Sequence, residues 1–178
     1  RLGVLRNNIT IAEPILRDAQ IVSFDISSVR QCDAPGTLFS SPNGFYAEES
    51  CQLARYAGLS DKVSCFGIYE VNPEKDKNNQ TAHLAAQMIW YFIEGFSQRK
   101  IETPSSSSND YKVFIIKHED MEHEMTFYKS QITNRWWMEV PDIKTGKAFL
   151  IACSQEEYQQ ASNHDIPELW WRTFQRIN

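Results

Sequence analysis

The sequence contains the run Gln20-Ile21-Val22-Ser23-Phe24-Asp25-Ile26, which is short, largely apolar and carries one carboxylate, Asp25, near its end. Such a run is typical of a buried β-strand. A segment from Tyr46 to Gly58 has a helical pattern that ends at a glycine, and a second buried strand is predicted from Lys62 to Val71. Parallel neighbours need a crossover between them, so strand, helix and strand in this order predict a parallel α/β arrangement.

A long helix is predicted from about Gln80 to Arg99, because apolar side chains recur there every three or four residues. The stripe expected to face the core consists of Ala82, Ala85, Ile89, Phe92 and Phe96. Residues 103–110 are serine-rich and bury nothing, which is typical of a linker. We therefore expect an α/β part at 1–102, a linker at 103–110 and a second part at 111–178.

The pattern of apolar residues in 111–178 differs from that in 1–102. Four short β-prone runs at 111–117, 124–129, 135–140 and 147–152 predict a small antiparallel meander, and two helices close the chain. Alternation along the third run places Trp136 and Met138 on one face and Trp137 on the other. Capping boxes are predicted at Ser154–Glu157 and Asp165–Glu168.

The amino-acid composition excludes some classes of binding partner. The 178 residues include 18 Lys and Arg against 23 Asp and Glu, a net charge of −5, which is not the basic footprint of a nucleic-acid binder. No apolar run approaches the ~20 residues that cross a bilayer, so we expect neither a nucleic-acid nor a membrane partner. Four scattered cysteines favour reduced thiols and a cytoplasmic location. The start at Arg1, without a methionine, is interpreted as that of a piece of a longer protein.

Two carboxylates are expected at one sheet edge. Asp25 ends the first predicted strand and Glu70 ends the second, and parallel strands open their ligand crevice at their carboxyl ends. The turn Ala34-Pro35-Gly36-Thr37 can fold over that opening. The alternatives are that Asp25 only caps the following turn and that Glu70 is bonded to nearby backbone amides.

These motifs resemble those of the ureohydrolase family, which contains arginase, agmatinase and formimidoylglutamase. The family pattern Ser-Phe-Asp-x-Asp, Asp-Pro, Ala-Pro-Gly-Thr corresponds here to residues 23–27, 30–31 and 34–37, with departures at Ser27, Arg30 and Gln31. Glu-Val-Asn-Pro corresponds to residues 70–73, followed by Asp76 and Thr81-Ala82 at the family's spacing. The resemblance covers about residues 19–96 and implies the closing part of a doubly wound, arginase-like parallel sheet.

The resemblance also implies a pair of manganese ions, bridged by a hydroxide that attacks an amidine or guanidine carbon. Asp25 corresponds to the bridging ligand, and Glu70 corresponds to the glutamate that binds the cationic end of the substrate. Ser27 stands where the family has a second aspartate ligand, and a neutral hydroxyl is a poor ligand for a hard dication. Arg30 replaces the aspartate of Asp-Pro and brings a cation to the region. We expect one or two ions in the intact protein, and none or one weakly held ion in this chain.

Two functional hypotheses follow. The first is a metal-dependent, formimidoylglutamase-like hydrolase that cleaves an amidine or guanidine C–N bond, with the pocket rim formed by residues 34–37 and this chain alone inactive. The second is a catalytically impaired relative acting in binding or assembly. Expected partners are a small cationic substrate, the N-terminal half of the same protein and a second copy. The acidic and histidine-rich run at 118–124 is interpreted as a solvated turn, not a metal cluster.

Overall fold

The computed structural model describes residues 2–102, 104, 108–117 and 124–178. The chain divides into two compact units, a first unit of Arg1–Ile101 and a second unit of Glu102–Asn178. The first unit contains four helices and two strands within the described residues, in the order α1 (Leu2–Asn7), α2 (Ala12–Asp18), β1 (Ile21–Asp25), α3 (Ala47–Leu59), β2 (Cys65–Tyr69) and α4 (Gln80–Ser97).

The two strands of the first unit pair in parallel, with Ile21 opposite Cys65 and Asp25 opposite Tyr69. Their buried core is formed with α3 and α4 and includes Phe24, Ile26, Cys51, Ala54, Leu84 and Met88. The rings of Phe66 and Phe92 stack at 4.9 Å between β2 and α4. This arrangement confirms the predicted α/β class and brings the ends of β1 and β2 to the same edge.

Helices α3 and α4 approach each other closely at two glycines. A Cβ atom at Gly58 would lie 2.2 Å from the carbonyl oxygen of Phe92, and one at Gly95 would lie 2.4 Å from the carbonyl oxygen of Arg55. The prediction that Gly58 ends the helix is wrong, since α3 continues to Leu59. The lack of a side chain at both positions lets the two backbones touch.

The predicted core stripe of α4 is only partly right, since of its larger side chains Phe92 alone packs against the core. The buried positions are Thr81, Leu84, Met88 and Gly95. Ile89 and Phe96 are instead 50% and 55% exposed. Helical spacing alone could not choose between these faces, because both carry apolar residues.

The second unit is a four-stranded antiparallel sheet in the order β3 (Tyr111–Ile116), β4 (Met125–Ser130), β5 (Trp136–Asp142) and β6 (Lys147–Cys153), followed by α5 (Gln155–Ser162) and α6 (Glu168–Ile177). The meander is as predicted. Trp136 and Met138 pack in one cluster with Tyr158 and Trp170, whereas Trp137 packs with Tyr128 on the opposite face. The alternation predicted for β5 is therefore confirmed.

The two predicted capping boxes have different outcomes. Ser154 and Glu157 form a reciprocal capping box at the start of α5. Helix α6 begins at Glu168 with Pro167 at its N-cap position and has no side-chain cap, so the second prediction is wrong. All four cysteines are free thiols. Among the described residues, no helix combines the length and the apolar character that crossing a membrane requires.

Candidate functional site

The end of the parallel sheet brings the two candidate carboxylates to one edge. Asp25 is the last residue of β1 and lies opposite Tyr69, the last residue of β2. Glu70 follows Tyr69 directly and has a left-handed backbone conformation, with φ of 65°. This conformation is uncommon for a residue with a side chain, and such outliers cluster at functional sites. Both carboxylates are exposed.

Asp25 is engaged with the turn that follows it. Its Oδ1 atom accepts a hydrogen bond of 2.8 Å from the backbone N–H of Ser27, and its carbonyl oxygen accepts one of 2.6 Å from the Ser28 hydroxyl. These bonds cap the short 3₁₀ turn Ile26–Ser28. The capping alternative for Asp25 is therefore present in the structure, and Oδ2 is the oxygen left for any other ligand.

Glu70 differs from Asp25 in this respect. Within the part of the chain that the structure describes, its carboxylate accepts no hydrogen bond from a backbone amide. The neighbouring Asn72 instead caps the short turn Pro73–Lys75, because its Oδ1 atom accepts a 3.0 Å hydrogen bond from the backbone N–H of Glu74. The Glu70 side chain is thus left open to solvent at the strand end.

The turn at 34–37 is fixed both to the first turn of α4 and to the connection between β2 and α4. The N–H of Gly36 donates to Oγ1 of Thr81 at 2.7 Å, and the carbonyl oxygen of Gly36 accepts from the N–H of Asn72 at 2.8 Å. Ala34, Gly36 and Thr37 are buried. The predicted pocket rim therefore lies against the segment that directly follows Glu70.

Asp76 organises the start of α4. Its two carboxylate oxygens accept 2.9 Å hydrogen bonds from the backbone N–H groups of Thr81 and Ala82. Burial by itself raises the pKa of Asp76, but the hydrogen bonds from Thr81 and Ala82 outweigh it and hold the pKa below its ordinary value. Sequence reasoning placed Asp76 in the motif without assigning it a role. An aspartate shortly before a helix was the available signal.

Arg30 is held by an ion pair. Its Nε donates to Oδ2 of Asp33 at 2.7 Å, and its guanidinium lies 4.1 Å from the centre of the Tyr46 ring. Oδ2 of Asp33 also accepts a 3.0 Å bond from the N–H of Ala47 at the start of α3. Burial by itself raises the pKa of Asp33, but the hydrogen bonds from Arg30 and Ala47 together outweigh this effect. The pKa of Asp33 therefore lies below its ordinary value. The cation that replaces the family's aspartate thus has its own counter-ion.

The donor set does not by itself build a metal centre. Across residues 2–102, 104, 108–117 and 124–178, no group of three or more His, Cys, Asp or Glu side chains is arranged to hold an ion. Asp25 offers one carboxylate, and Ser27 contributes its backbone N–H to that carboxylate. A hard divalent cation needs more charged oxygen than this. The run His118–His123 lies outside the described residues.

Comparison with known proteins agrees with this fold. A model of the arginase family matches residues 4–94. The chain belongs to the arginase family. It is similar to formimidoylglutamase of Staphylococcus haemolyticus (34% identical over 83 residues, covering 46% of this chain and 27% of the relative) and to that of Staphylococcus aureus strain MRSA252 (31% over 84 residues, with the same coverage).

A structural relative leads to the same family. The crystal structure of Trypanosoma cruzi formiminoglutamase with Mn2+2 aligns with a TM-score of 0.50 and 26% identity, and covers 56% of this chain and 35% of that one. The chain spans about a quarter of the length of the curated relatives it matches, 27% in both cases quoted. The residues that the family model matches lie in the first unit.

Proposed function

We propose that the protein containing this chain is a hydrolase of the ureohydrolase type that cleaves a C–N bond of an amidine or guanidine. The substrate class we favour is a formimidoyl-substituted amino acid, because relatives carry the name formimidoylglutamase. The observation that carries the proposal is the pairing of Asp25 and Tyr69 at the strand ends, which brings Asp25 and the exposed Glu70 to one edge.

Each residue has a proposed role. Glu70 binds the cationic end of the substrate, because its carboxylate is exposed and accepts no bond from a described backbone amide. Asp25 contributes one carboxylate to a manganese site completed by residues outside this chain. The turn Ala34–Thr37 forms the rim of the pocket, since it is fixed beside Asn72 just after Glu70.

A substitution tests the role of Glu70. In the full-length protein Glu70→Gln keeps the shape of the side chain and removes its charge, so we expect substrate affinity and kcat/KM to fall by about ten- to a hundredfold, as for loss of one charge-assisted bond. The melting temperature should stay nearly constant. Glu74→Gln is the matched control, because it makes the same chemical change at an exposed residue nearby. A Glu70→Gln protein that melts earlier but hydrolyses amidines normally would remove Glu70 from the site.

A second candidate is a catalytically impaired arginase-fold relative that acts in binding or assembly, with residues 111–178 as the interaction module. The observation in its favour is Ser27, which supplies a backbone N–H to Asp25 where a second carboxylate would be needed. Manganese content after identical dialysis separates the candidates, because the hydrolase should retain an ion and the impaired relative should retain none. We expect at most one tightly held ion in the natural protein and a higher content in Ser27→Asp, which restores a charged oxygen. Two tightly held ions in the natural protein would contradict this expectation.

A further inference from the structure

A hydrogen bond joins the rim turn to the start of α4. The N–H of Gly36 donates to the Thr81 hydroxyl at 2.7 Å. Beside this bond, the carboxylate of Asp76 accepts hydrogen bonds from the backbone N–H groups of Thr81 and Ala82.

The contact between Gly36 and Thr81 is closely packed. The side chain of Thr81 is fully buried, and a Cβ atom at position 36 would lie 2.6 Å from Cβ of Asp76 and 2.9 Å from Oγ1 of Thr81. Neither contact is possible for a real side chain, so only glycine lets the turn come this close to the helix. The carbonyl oxygen of Gly36 is held from the other side by the N–H of Asn72. The backbone is thereby fixed on both sides of Gly36.

Helix α4 does not need the Thr81 hydroxyl. Asp76 already caps the helix through the two backbone N–H groups, and a valine at position 81 would fill the same buried space. The hydroxyl makes its long-range bond to Gly36, which is far away in sequence. Its distinctive contribution is therefore to the turn, whose following residues Leu38 and Phe39 are exposed.

We propose that Thr81 is a positioning residue, which holds the turn Pro35–Thr37 beside the strand end that carries Glu70. The effect on substrate binding rests on the proposed hydrolase function, whereas the effect on the turn does not. In the proposed role Thr81 touches no reacting group and acts only through Gly36.

The test compares Thr81→Val with Thr81→Ser in the full-length protein. Valine keeps the shape and removes the hydroxyl, whereas serine keeps the hydroxyl. Amide hydrogen exchange at Gly36 and Asn72 should speed up by about tenfold in Thr81→Val and remain near the natural rate in Thr81→Ser. Ser60→Ala is the matched control, because Ser60 is a buried hydroxyl in the same unit that bonds the carbonyl oxygen of Arg17 at 2.8 Å. Ser60→Ala should leave the exchange rate of the Gly36 amide unchanged when that rate is compared with the rates of the amides in α3.

Kinetics provide the second measurement. Thr81→Val should raise KM for an amidine substrate by about tenfold, with a smaller change in kcat, and Thr81→Ser should restore KM. Unchanged exchange at Gly36 in Thr81→Val, or a serine variant as impaired as the valine variant, would overturn the proposal. If Thr81→Val does not fold, faster exchange at Gly36 in Thr81→Ala, which also removes the hydroxyl, decides in its place. If the natural protein does not hydrolyse amidines, the proposed hydrolase function is wrong. The hydrogen-exchange measurement then decides the role of Thr81 by itself.

Discussion

Alanine at Gly58 should destabilise the first unit. The added methyl carbon would lie 2.2 Å from the carbonyl oxygen of Phe92 and 3.0 Å from the backbone nitrogen of Phe96. Both neighbours are backbone atoms of α4, so no side chain can rotate away to make room. The helices must separate by about 1 Å to restore ordinary van der Waals contact.

The expected loss in the free energy of unfolding is the difference between two opposing effects. Overpacking of this kind costs about 1–3 kcal/mol, and replacing glycine by alanine within a helix returns up to about 1 kcal/mol. We therefore expect a net loss of about 1–2 kcal/mol for Gly58→Ala. Gly95→Ala should behave similarly, because its methyl group would meet the carbonyl oxygen of Arg55 at 2.4 Å. The double variant should cost less than the sum, because one separation of the helices relieves both contacts.

Native-state hydrogen exchange of the slowest amides in α3 and α4 measures this loss within the first unit. The control is Gly3→Ala, because a Cβ atom at Gly3, in helix α1, meets no atom within 4 Å. It should leave stability unchanged or raise it slightly. The packing argument would be refuted if Gly58→Ala were as stable as the natural protein, or if the two single losses simply added.

Two further predictions concern pH. The folded-state pKa of Asp33 lies below its ordinary value of 3.8, so its ionisation stabilises the first unit above that pH, and the contribution is lost as pH falls through the lowered value. Asp33→Asn should therefore be less stable than the natural protein at pH 7, and urea titrations should show the difference shrinking below about pH 4. In the second unit, burial and a 2.7 Å bond to Glu139 raise the pKa of Tyr128 to about 12 from 10.0. The neutral phenol therefore stabilises the second unit below pH 10, and this contribution is lost as pH rises from 10 to about 12. The loss of stability at alkaline pH should be smaller in Tyr128→Phe than in the natural protein. Equal losses in the two proteins would exclude Tyr128 as the source.

The sequence was most informative where a pattern depends on neighbours along the chain. The strand Ile21–Asp25, the alternation of Trp136 and Trp137 and the capping box at Ser154 were all predictable, because each reflects local geometry. The prediction that this strand is buried is wrong, since Phe24 is the one buried residue in it. The second capping box failed because Asp165 lies in the segment before α6, which begins only at Glu168.

Features that depend on distant partners could not be read in the same way. Gly58 looked like a helix end, yet its role is set by the carbonyl oxygen of Phe92 on another helix. The buried face of α4 is set by the position of α3 and the sheet, and an apolar run at Ile89–Ile93 gives no hint of it. The hydrogen bond between Thr81 and Gly36 could not be predicted, because the two residues are far apart in sequence.

The hydrolase proposal is tested most directly by measuring amidine hydrolysis by the full-length protein, purified with manganese. We predict metal-dependent release of ammonia or of the corresponding amide from a formimidoyl-substituted amino acid, with Asp25→Asn strongly impaired and Glu74→Gln unaffected. Asp25 lies at the strand end, whereas Glu74 lies in the short turn that follows β2. Absence of turnover across a panel of amidines and guanidines, in a folded protein loaded with manganese, would contradict the proposal.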